Sequence, residues 1–456
     1  MSKRRGLGTI FWALVWISLG TVLLLRNLGY SIPIWAGLAQ YWPVLIIAWG
    51  MLKIVDYYRF KGEDRRLFSG GEVALLILLL CVGSAFTAAA HISSDLDGLH
   101  FGFGDDFDLF DIVGENYEFS ARLEADAEPG RTIEIYNVYG SVEVEAGDTN
   151  RIVVDIDKTV RATSRQEAER LEPSMYFTIS DSDTGYLIES NRDRLRNSDR
   201  RRFKTSLTIR VPVESSLEIN NKYGVVRITG LEGDHSIENR YGGSTVRAID
   251  GSVEIDDGYG PIVTEDILGD VTVINKYGSV TVNGVGGVVE VENKYGIIHI
   301  SDVEGDAMID NKYSLVSIEN VRGTVHIEGQ NNSVDLEDVT GLVEIETSYK
   351  DIVVRNATGP VDLANRHGDI RLSFDTPPQQ DISLTGDYTD IRIEMPSASA
   401  FSLDAQTRRG SFNSDFEGIE RVSSGRDQRV NGERGTGGPS ITIQTSRGDI
   451  QLIERR

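Results

Sequence analysis

Residues that could do chemistry are common in this 456-residue chain, but they are scattered. Enzymes that cleave glycosidic bonds need two carboxylates, or a carboxylate with a basic partner, at one spot. The acidic residues here recur instead at outward-facing positions of predicted strands, such as Glu254, Glu290, Glu292, Glu344 and Glu346. We therefore expect no enzyme activity, and a polysaccharide-active enzyme is the weakest alternative.

Metal and cofactor chemistry is not indicated either. The acidic run Asp105, Asp106, Asp108 and Asp111 lacks the spacing of an EF-hand loop, so we interpret residues 93–116 as an acidic linker. No zinc spacing, phosphate loop or nucleophile elbow occurs, and we predict no metal and no cofactor. The histidines are dispersed, at His91, His100, His235, His299, His326 and His367.

One basic run interrupts the acidic part of the chain, between Asn191 and Lys204. We favour a solvated hairpin loop here. The functional alternative is contact with anionic lipid or wall polymer, because the run is the one basic patch in this region. Its cations are Arg192, Arg194, Arg196, Arg200, Arg201, Arg202 and Lys204.

The charge of the chain is divided unevenly. The formal net charge is -24, yet residues 1–90 hold nine Lys or Arg against four Asp or Glu, a net +5, which leaves -29 for the rest. All five tryptophans lie within the first fifty residues. The acidic bulk argues against nucleic acid as a partner, because phosphate binding requires a basic face.

Residues 1–92 are predicted to be a membrane region with three helices, at about 8–26, 41–58 and 72–90. Each apolar stretch approaches the roughly 20 residues that cross a bilayer. No small-residue cleavage site follows the first stretch, so we favour a retained anchor over a signal peptide. The single cysteine, Cys81, excludes an intramolecular disulfide and is interpreted as a buried membrane thiol.

Positive charge in the short loops predicts the orientation. The tail before the first span and the loop 59–70 are basic, whereas Arg26 is the one cation between spans one and two. By the positive-inside rule the N-terminus is cytoplasmic and residues 91–456 are extracytoplasmic, on the outside of a bacterial cytoplasmic membrane.

An 18-residue repeat dominates the rest of the chain. The motif Asn-Lys-Tyr-Gly recurs, and its tyrosine place is held by Tyr223, Tyr241, Tyr259, Tyr277, Tyr295, Tyr313 and Tyr349, with Asn331 and His367 in the remaining places. A second ladder in the same period is Gly233, Gly251, Gly269, Gly287, Gly305, Gly323, Gly341 and Gly359. Two ladders in phase over nine units identify a repeat protein.

Apolar residues two apart within each unit indicate short strands, and the glycines indicate turns. We predict an all-β parallel β-solenoid of 18-residue coils, most regular over residues 217–374. The tyrosines should stack, beside a hydrogen-bonded ladder of asparagines at the bend. This recurring turn is interpreted as structural, and its asparagines are Asn221, Asn239, Asn275, Asn293, Asn311 and Asn365.

Less regular segments flank these coils. Residues 117–216 are predicted to be an irregular β entry segment with one short helix, which opens with a capping box at Ser164 and Glu167. Residues 375–456 are predicted to be C-terminal strands with a mobile loop at 411–439. The final ITIQTSRGDIQL should form the capping coil.

Two family resemblances accompany these patterns. The stretch YWPVLIIAWGMLK, followed by a charged loop and another span, is similar to the LiaI–LiaF-like membrane region of bacterial envelope-stress proteins, over roughly residues 5–90. GSVEVEAGD, RVPVESSLEI, the repeated coils and TSRGDIQL resemble the toastrack family of adhesin-like domains, over roughly residues 117–453. The second resemblance implies an extracytoplasmic β-solenoid, and it offers no catalytic residues.

The leading hypothesis is a membrane-anchored sensor or scaffold of the bacterial envelope. Its expected partners are the lipid bilayer and a membrane protein or envelope polymer, and a homo-oligomer stays open. The alternative is adhesion, in which the solenoid binds surface glycan or wall polymer directly.

Overall fold

The computed structural model describes Met51 and residues 114–182, 185–424 and 427–455. Apart from Met51, the three predicted spans lie outside the described residues, and so do residues 93–113 of the predicted linker. Within the described part of the chain, no helix has the length and apolar character that a membrane crossing requires. The chain divides into two units, of which Met1–Tyr117, Val160–Leu171 and Asn197–Arg202 form the first, and Glu118–Thr159, Glu172–Arg196 and Phe203–Arg456 the second.

Strands make up nearly all of the described secondary structure. Two short α-helices occur, α1 (Arg165–Leu171) and α2 (Asn197–Arg200), with 3-10 turns at Glu172–Ser174 and Asn191–Arg194. The strands before the regular coils are β1 (Glu115–Asp126), β2 (Thr132–Tyr139), β3 (Val142–Ala146), β4 (Arg151–Ala162), β5 (Phe177–Asp181), β6 (Gly185–Ser190) and β7 (Phe203–Val211).

The regular coils follow, and each contributes two strands except two coils, in which one continuous strand (Ala307–Val321 or Val325–Val339) passes through the corner. They are β8 (Leu217–Tyr223), β9 (Val226–Glu232), β10 (His235–Tyr241), β11 (Ser244–Asp250), β12 (Val253–Asp257), β13 (Ile262–Ile267), β14 (Val271–Asn275), β15 (Val280–Val285), β16 (Val289–Asn293), β17 (Ile298–Val303), β18 (Ala307–Val321), β19 (Val325–Val339), β20 (Val343–Thr347), β21 (Ile352–Arg355), β22 (Val361–His367) and β23 (Ile370–Ser373).

The C-terminal strands complete the chain. They are β24 (Ile382–Tyr388), β25 (Ile391–Pro396), β26 (Phe401–Thr407), β27 (Phe412–Ser414), β28 (Ile419–Ser424), β29 (Asp427–Arg434), β30 (Ser440–Thr445) and β31 (Ile450–Arg455).

Parallel pairing between successive coils confirms the all-β solenoid. Val271 of β14 pairs with Val289 of β16, and Ile262 of β13 pairs with Val280 of β15, so the register advances by one repeat in both columns of strands. Alternate side chains point inward, and Val273 and Val282 are fully buried. Burial of these β-branched residues on both columns supplies the hydrophobic core.

Glycine at the corners allows the coils to approach closely. A Cβ added at Gly296 would lie 1.7 Å from the carbonyl oxygen of Gly278, one coil earlier, and a Cβ at Gly278 would lie 1.7 Å from that of Gly260. The Gly305 place of the second ladder is similarly tight, at 2.3 Å from the Gly287 carbonyl oxygen. Real Cβ atoms do not approach backbone so closely, so both glycine ladders follow from stacking.

A third ladder was not anticipated from the sequence. One residue in each of eight successive coils has a left-handed backbone conformation, which Gly, Asn and Asp tolerate best. Its members have φ between 54° and 72°, and they are Gly230, Ala248, Asp266, Gly284, Asp302, Asn320, Asp338 and Asn356.

The coils do not stack in strict chain order at the N-terminal end. Strand β2 pairs in parallel with both β6 and β8, and β3 pairs with both β7 and β9. The β2–β3 coil therefore lies between a later coil and the first regular one.

The C-terminal end departs from expectation in two respects. Strand β30 is paired on both edges, with β24 and β26, so the final strands are an internal coil and not the cap. Residues 411–439 were expected to be a mobile loop, but they contain β27, β28 and β29. Strand β29 is ordered by antiparallel pairing with β26 and β28, which satisfies its backbone groups on both edges.

We expect Gly296→Ala to lower the free energy of unfolding by at least about 2 kcal/mol, because the new methyl group overlaps a backbone carbonyl that cannot move without displacing a coil. Thermal unfolding of the detergent-solubilised full-length chain measures the effect. The control is Gly147→Ala, where the nearest atoms lie at 3.4 Å. Equal stability of the two variants would contradict the close-approach argument.

Candidate functional site

Six tyrosine rings form one continuous stack on a corner of the coils, here named the tyrosine column: Tyr223, Tyr241, Tyr259, Tyr277, Tyr295 and Tyr313. Centroids of neighbouring rings lie 4.8–5.3 Å apart, and their planes are within 16° of parallel. This spacing is that of stacked strands, about 4.8 Å, because each ring projects from the same place in its coil. Since the ring faces cover one another, the column presents ring edges and hydroxyl groups to solvent.

The column ends where the repeat changes. Tyr313 is opposite Asn331 in the next coil, and a second short stack resumes with Tyr349, His367 and Tyr388. Tyr349 itself has φ of 76°, an uncommon conformation for a bulky residue, and it precedes Lys350, which stands where most other coils have glycine.

Asparagines lie behind the rings and bond mainly to backbone. The amides of Asn275 and Asn293 donate to the carbonyl oxygens of Gly260 and Gly278, each at 3.1 Å. A bond between ladder side chains links Asn221 to Asn239, at 3.4 Å. The ladder therefore connects each coil to the turn of the preceding one, which satisfies carbonyl groups that stacking buries.

The ladder is less regular towards its C-terminal end. Asn365 donates to the carbonyl of Lys350 at 2.8 Å. Asn311 is fully buried, and neither atom of its amide has a hydrogen-bond partner among the described residues. Its backbone carbonyl instead accepts from Asn332. Asn332 thus supplies the amide donor in the coil that has Gly329 at the asparagine position.

Asp257 occupies the asparagine place of the third regular coil. Its carboxylate accepts from the backbone N–H groups of Tyr259 and Gly260, at 3.3 and 3.2 Å, and from the Ser244 hydroxyl at 3.2 Å. Burial nevertheless outweighs these bonds and raises the pKa of Asp257 to about 6. The folded protein thus holds a carboxyl group that retains its proton to a higher pH than an ordinary aspartate does.

A row of five cations accompanies the tyrosine column, one residue before five of its six rings: Lys222, Arg240, Lys276, Lys294 and Lys312. We name it the cation row, in which Gly258 holds the sixth place. Four of these charged groups lie over the adjacent ring, at 5.2–5.6 Å from its centroid, within cation–π range. None of the five forms an ion pair with a carboxylate of the described residues.

Several other cations on the coils, though not Arg227 or Arg366, are paired with acids among the described residues. Arg247 contacts Glu265 at 2.7 Å, and Arg371 contacts Asp351 and Asp369 at 2.8 and 2.6 Å. The Arg247–Glu265 and Arg371–Asp351 pairs connect one coil to the next, whereas Asp369 lies in the same coil as Arg371. The cation row is therefore distinguished as a line of five cations in equivalent places, none of which lies within ion-pair distance of a carboxylate among the described residues.

The basic run 191–204 is not a single exposed loop. Arg192 is buried and donates to the carbonyl of Phe203 at 2.8 Å, which removes it from the predicted contact surface. Arg202 is also withdrawn, because it donates to the carbonyl of Arg161 and to Glu167, each at 2.8 Å. Hydrogen bonds from Thr163, followed by those of Arg202, lower the pKa of Glu167 to about 2.

Four members of the run remain on the surface as predicted candidates, and Arg200 is half-buried. The exposed ones are Arg194, Arg196, Arg201 and Lys204. Arg192 and Arg202 leave the surface for the same reason. A guanidinium carries five N–H donors, so it can bond to backbone carbonyl groups where irregular turns meet strands.

The histidines do not converge on a site. Among the described residues, no group of three or more His, Cys, Asp or Glu is arranged to hold a metal ion. His235 is buried at a place where neighbouring coils have Leu217 and Val253, and burial lowers its pKa to about 4. It is a neutral residue of the core.

Sequence reasoning missed Asp257 and the cation row. Both were visible in the repeat itself, because Lys or Arg precedes the tyrosine in five coils, and Asp replaces Asn in one. Tyr388 was missed because it pairs with His367 across a coil longer than the others, and so falls out of the 18-residue period.

We expect Asp257→Asn to stabilise the protein at pH 8. A carboxyl whose pKa is raised from 3.8 to about 6 contributes stability below pH 3.8 that is lost as the pH rises through 6, and the asparagine does not ionise. The gain should approach about 3 kcal/mol at pH 8, from 1.36 kcal/mol per pKa unit, and be small at pH 4. Calorimetric unfolding of the full-length chain in detergent measures both.

The reverse exchange in the adjacent coil is the matched control. Asn275→Asp should destabilise the protein at pH 8, because a carboxylate would face the Gly260 carbonyl to which Asn275 now donates. Unchanged unfolding temperatures for both variants at pH 8 would show that a carboxylate at the asparagine position does not lower the stability of the protein.

Comparison with known proteins covers both parts of the chain. The family model described as Toastrack DUF4097 matches residues 131–453, and the LiaF transmembrane domain matches residues 11–100. A search for curated relatives found no match.

Three of the solved structures with similarity to the chain are bacterial proteins. One is a candidate cell adhesion protein from Clostridium sporogenes ATCC 15579, at 8% identity and a TM-score of 0.17, covering 74% of this chain and 100% of that one. A candidate adhesin from Bacteroides fragilis NCTC 9343 has 11% identity and a TM-score of 0.22, covering 74% and 97%. A candidate lipid binding protein from Parabacteroides distasonis ATCC 8503 has 12% identity and a TM-score of 0.22, covering 75% and 99%.

The family model spans most of the chain, and it covers both the coils and the corner that carries the tyrosine column. The chain therefore belongs to the Toastrack DUF4097 family, and a LiaF transmembrane domain precedes its solenoid.

Proposed function

We propose that this protein is a membrane-anchored, extracytoplasmic scaffold or sensor of the bacterial envelope. One observation carries the proposal: a single chain joins a LiaF transmembrane domain at 11–100 to a toastrack solenoid at 131–453. In this arrangement, spans at about 8–26, 41–58 and 72–90 hold the N-terminus in the cytoplasm, and residues 91–456 extend outside. The basic tail and the basic loop 59–70 support this orientation.

The solenoid is suited to scaffolding because its surface is repetitive and its backbone is rigidly paired. Each inner strand of the regular coils is hydrogen-bonded on both edges, as β14 is to β12 and β16. Such a surface presents the same side chains at fixed intervals, so one partner can contact several coils at once. The partner is a membrane protein or a polymer of the envelope.

Adhesion is the second candidate, and the tyrosine column favours it. Tyr259, Tyr277, Tyr295 and Tyr313 are each 40–50% exposed, which is unusual for four aromatic residues in one line. Exposed aromatic residues are common at binding surfaces, because they combine a large apolar area with a polar group. On this candidate, the solenoid binds surface glycan or wall polymer as its own activity.

Cysteine labelling tests the topology. In a Cys81→Ser background, we expect Glu290→Cys on the solenoid to react with a membrane-impermeant maleimide in intact cells, because residue 290 is exposed and extracytoplasmic. Lys61→Cys, in the loop between spans two and three, should react only after the cells are lysed. Labelling of residue 290 that also requires lysis would contradict the proposed orientation.

Deletion separates the two candidate functions. Cells that express a chain ending at residue 116 should lose resistance to envelope stress if the solenoid senses or scaffolds, with the full-length chain as control. Unchanged resistance combined with lost attachment to surfaces would favour adhesion. Wild-type behaviour in both assays would contradict both candidates.

A further inference from the structure

We propose that the cation row and the tyrosine column together bind a single extended chain of an anionic polymer, with one anionic group near each cation. The inference deepens the proposed function and rests on it for the ligand's location outside the cell. It places polymer contact on the regular coils and not on the basic run 191–204.

Unneutralised charge is the first argument. The solenoid carries many carboxylates, and several arginines elsewhere on the coils are paired with them, as Arg322 is with Glu304 at 2.5 Å. Lys276, Lys294 and Lys312 stand in successive coils with no such pair among the described residues. Acidic residues are in excess in this protein, yet these cations form no ion pairs with them in the described part of the chain. The row is therefore available to bind an external anion.

Spacing within the row is the second argument. The ladder residues Asn275, Asn293 and Asn311 are directly paired across coils, so the lysines that follow them project about 4.8 Å apart. Like charges at this separation repel by about 1 kcal/mol per pair even in water. A row of anions laid along the corner would remove this repulsion and replace it with charge-assisted hydrogen bonds.

The tyrosine column supplies the second set of donors. Its rings repeat at 4.8–5.3 Å, close to the interval of the cation row, and Tyr259, Tyr277 and Tyr295 are 44–50% exposed. A phenol O–H donates well to an anionic oxygen, and the Lys276 and Lys294 ammonium groups lie 5.2 and 5.4 Å from the adjacent ring centroids, within cation–π range. Five of the six coils therefore offer one charged and one neutral donor to a ligand that repeats along the corner, and the coil of Tyr259 offers the neutral donor alone.

The width of the positive surface selects a narrow ligand. Two residues before the cation place, four strands present exposed acids: Glu238, Asp256, Glu292 and Asp310. A broad anionic surface, such as a bilayer or a nucleic-acid duplex, would have to cover this acidic row and would be repelled. A single polymer chain can follow the corner without covering it.

Binding of defined polymers to the full-length chain in neutral detergent tests the proposal. The probes are end-labelled inorganic polyphosphate, oligogalacturonate and neutral dextran, and fluorescence anisotropy reports affinity. We expect one or both anionic probes to bind, and the stronger one identifies phosphate or carboxylate as the preferred group. Affinity should rise with length until the polymer spans Lys222 to Lys312, about 24 Å over six coils, and then level off.

Substitutions locate the site. The triple variant Lys276→Gln, Lys294→Gln and Lys312→Gln should weaken binding about tenfold to a hundredfold, because three charge contacts at the surface are lost. The corresponding Lys→Arg triple should retain binding. The matched control is Arg247→Gln, Arg322→Gln and Arg371→Gln, which changes net charge equally but removes paired cations, and it should weaken binding far less.

Four results would overturn the proposal: dextran bound as tightly as the anionic probes, equal losses in the lysine and arginine triples, binding to anionic vesicles that depends on the three lysines, or no binding of any probe. These results concern the cation row alone. Cysteine labelling at residue 290 reports independently on orientation, so failure of the proposed function is distinguishable from failure of the binding site.

Discussion

Backbone-to-backbone approach at the glycine corners is the constraint on which the rest of this structure depends. The carbonyl of Gly278 occupies the space that a side chain at Gly296 would require, and the same arrangement recurs in neighbouring coils. Because the coils stack at strand spacing on both columns, residues in equivalent places stack as well. The ring stack, the asparagine bonds and the cation row are consequences of this one approach.

Stacking also determines which side chains each place accepts. Identical asparagines can each serve the turn of the coil before, whereas identical charges one coil apart repel. The chain resolves this conflict differently on its two surfaces: Arg247 is set against Glu265 on a strand face, but Lys276 and Lys294 have no acidic partners among the described residues at the corner. Repetition alone does not produce that difference, since acids are abundant throughout the coils.

Much of the fold could be predicted from the sequence, because an 18-residue period in Val280, Val282 and Val285 and their equivalents specifies strands, turns and the stacking direction together. The burial of Arg192 and the stacking order of the terminal coils could not be predicted from the sequence. Both depend on contacts with segments outside the local repeat, such as the Phe203 carbonyl or the second edge of β30. Within the candidate site, ring stacking followed from the period, whereas ion pairing required side-chain geometry.

The interleaved ends bear on how such a chain assembles. Ile133 pairs with Leu217, and Ile382 pairs with Ile441, so each of these terminal pairings closes a loop several times longer than the single repeat that separates Val271 from Val289. Contacts distant in sequence form more slowly, since more chain entropy must be lost before they contribute. We expect folding to start in the middle and to finish at both ends. The late-forming terminal pairings would then cover strand edges that could otherwise pair with other molecules.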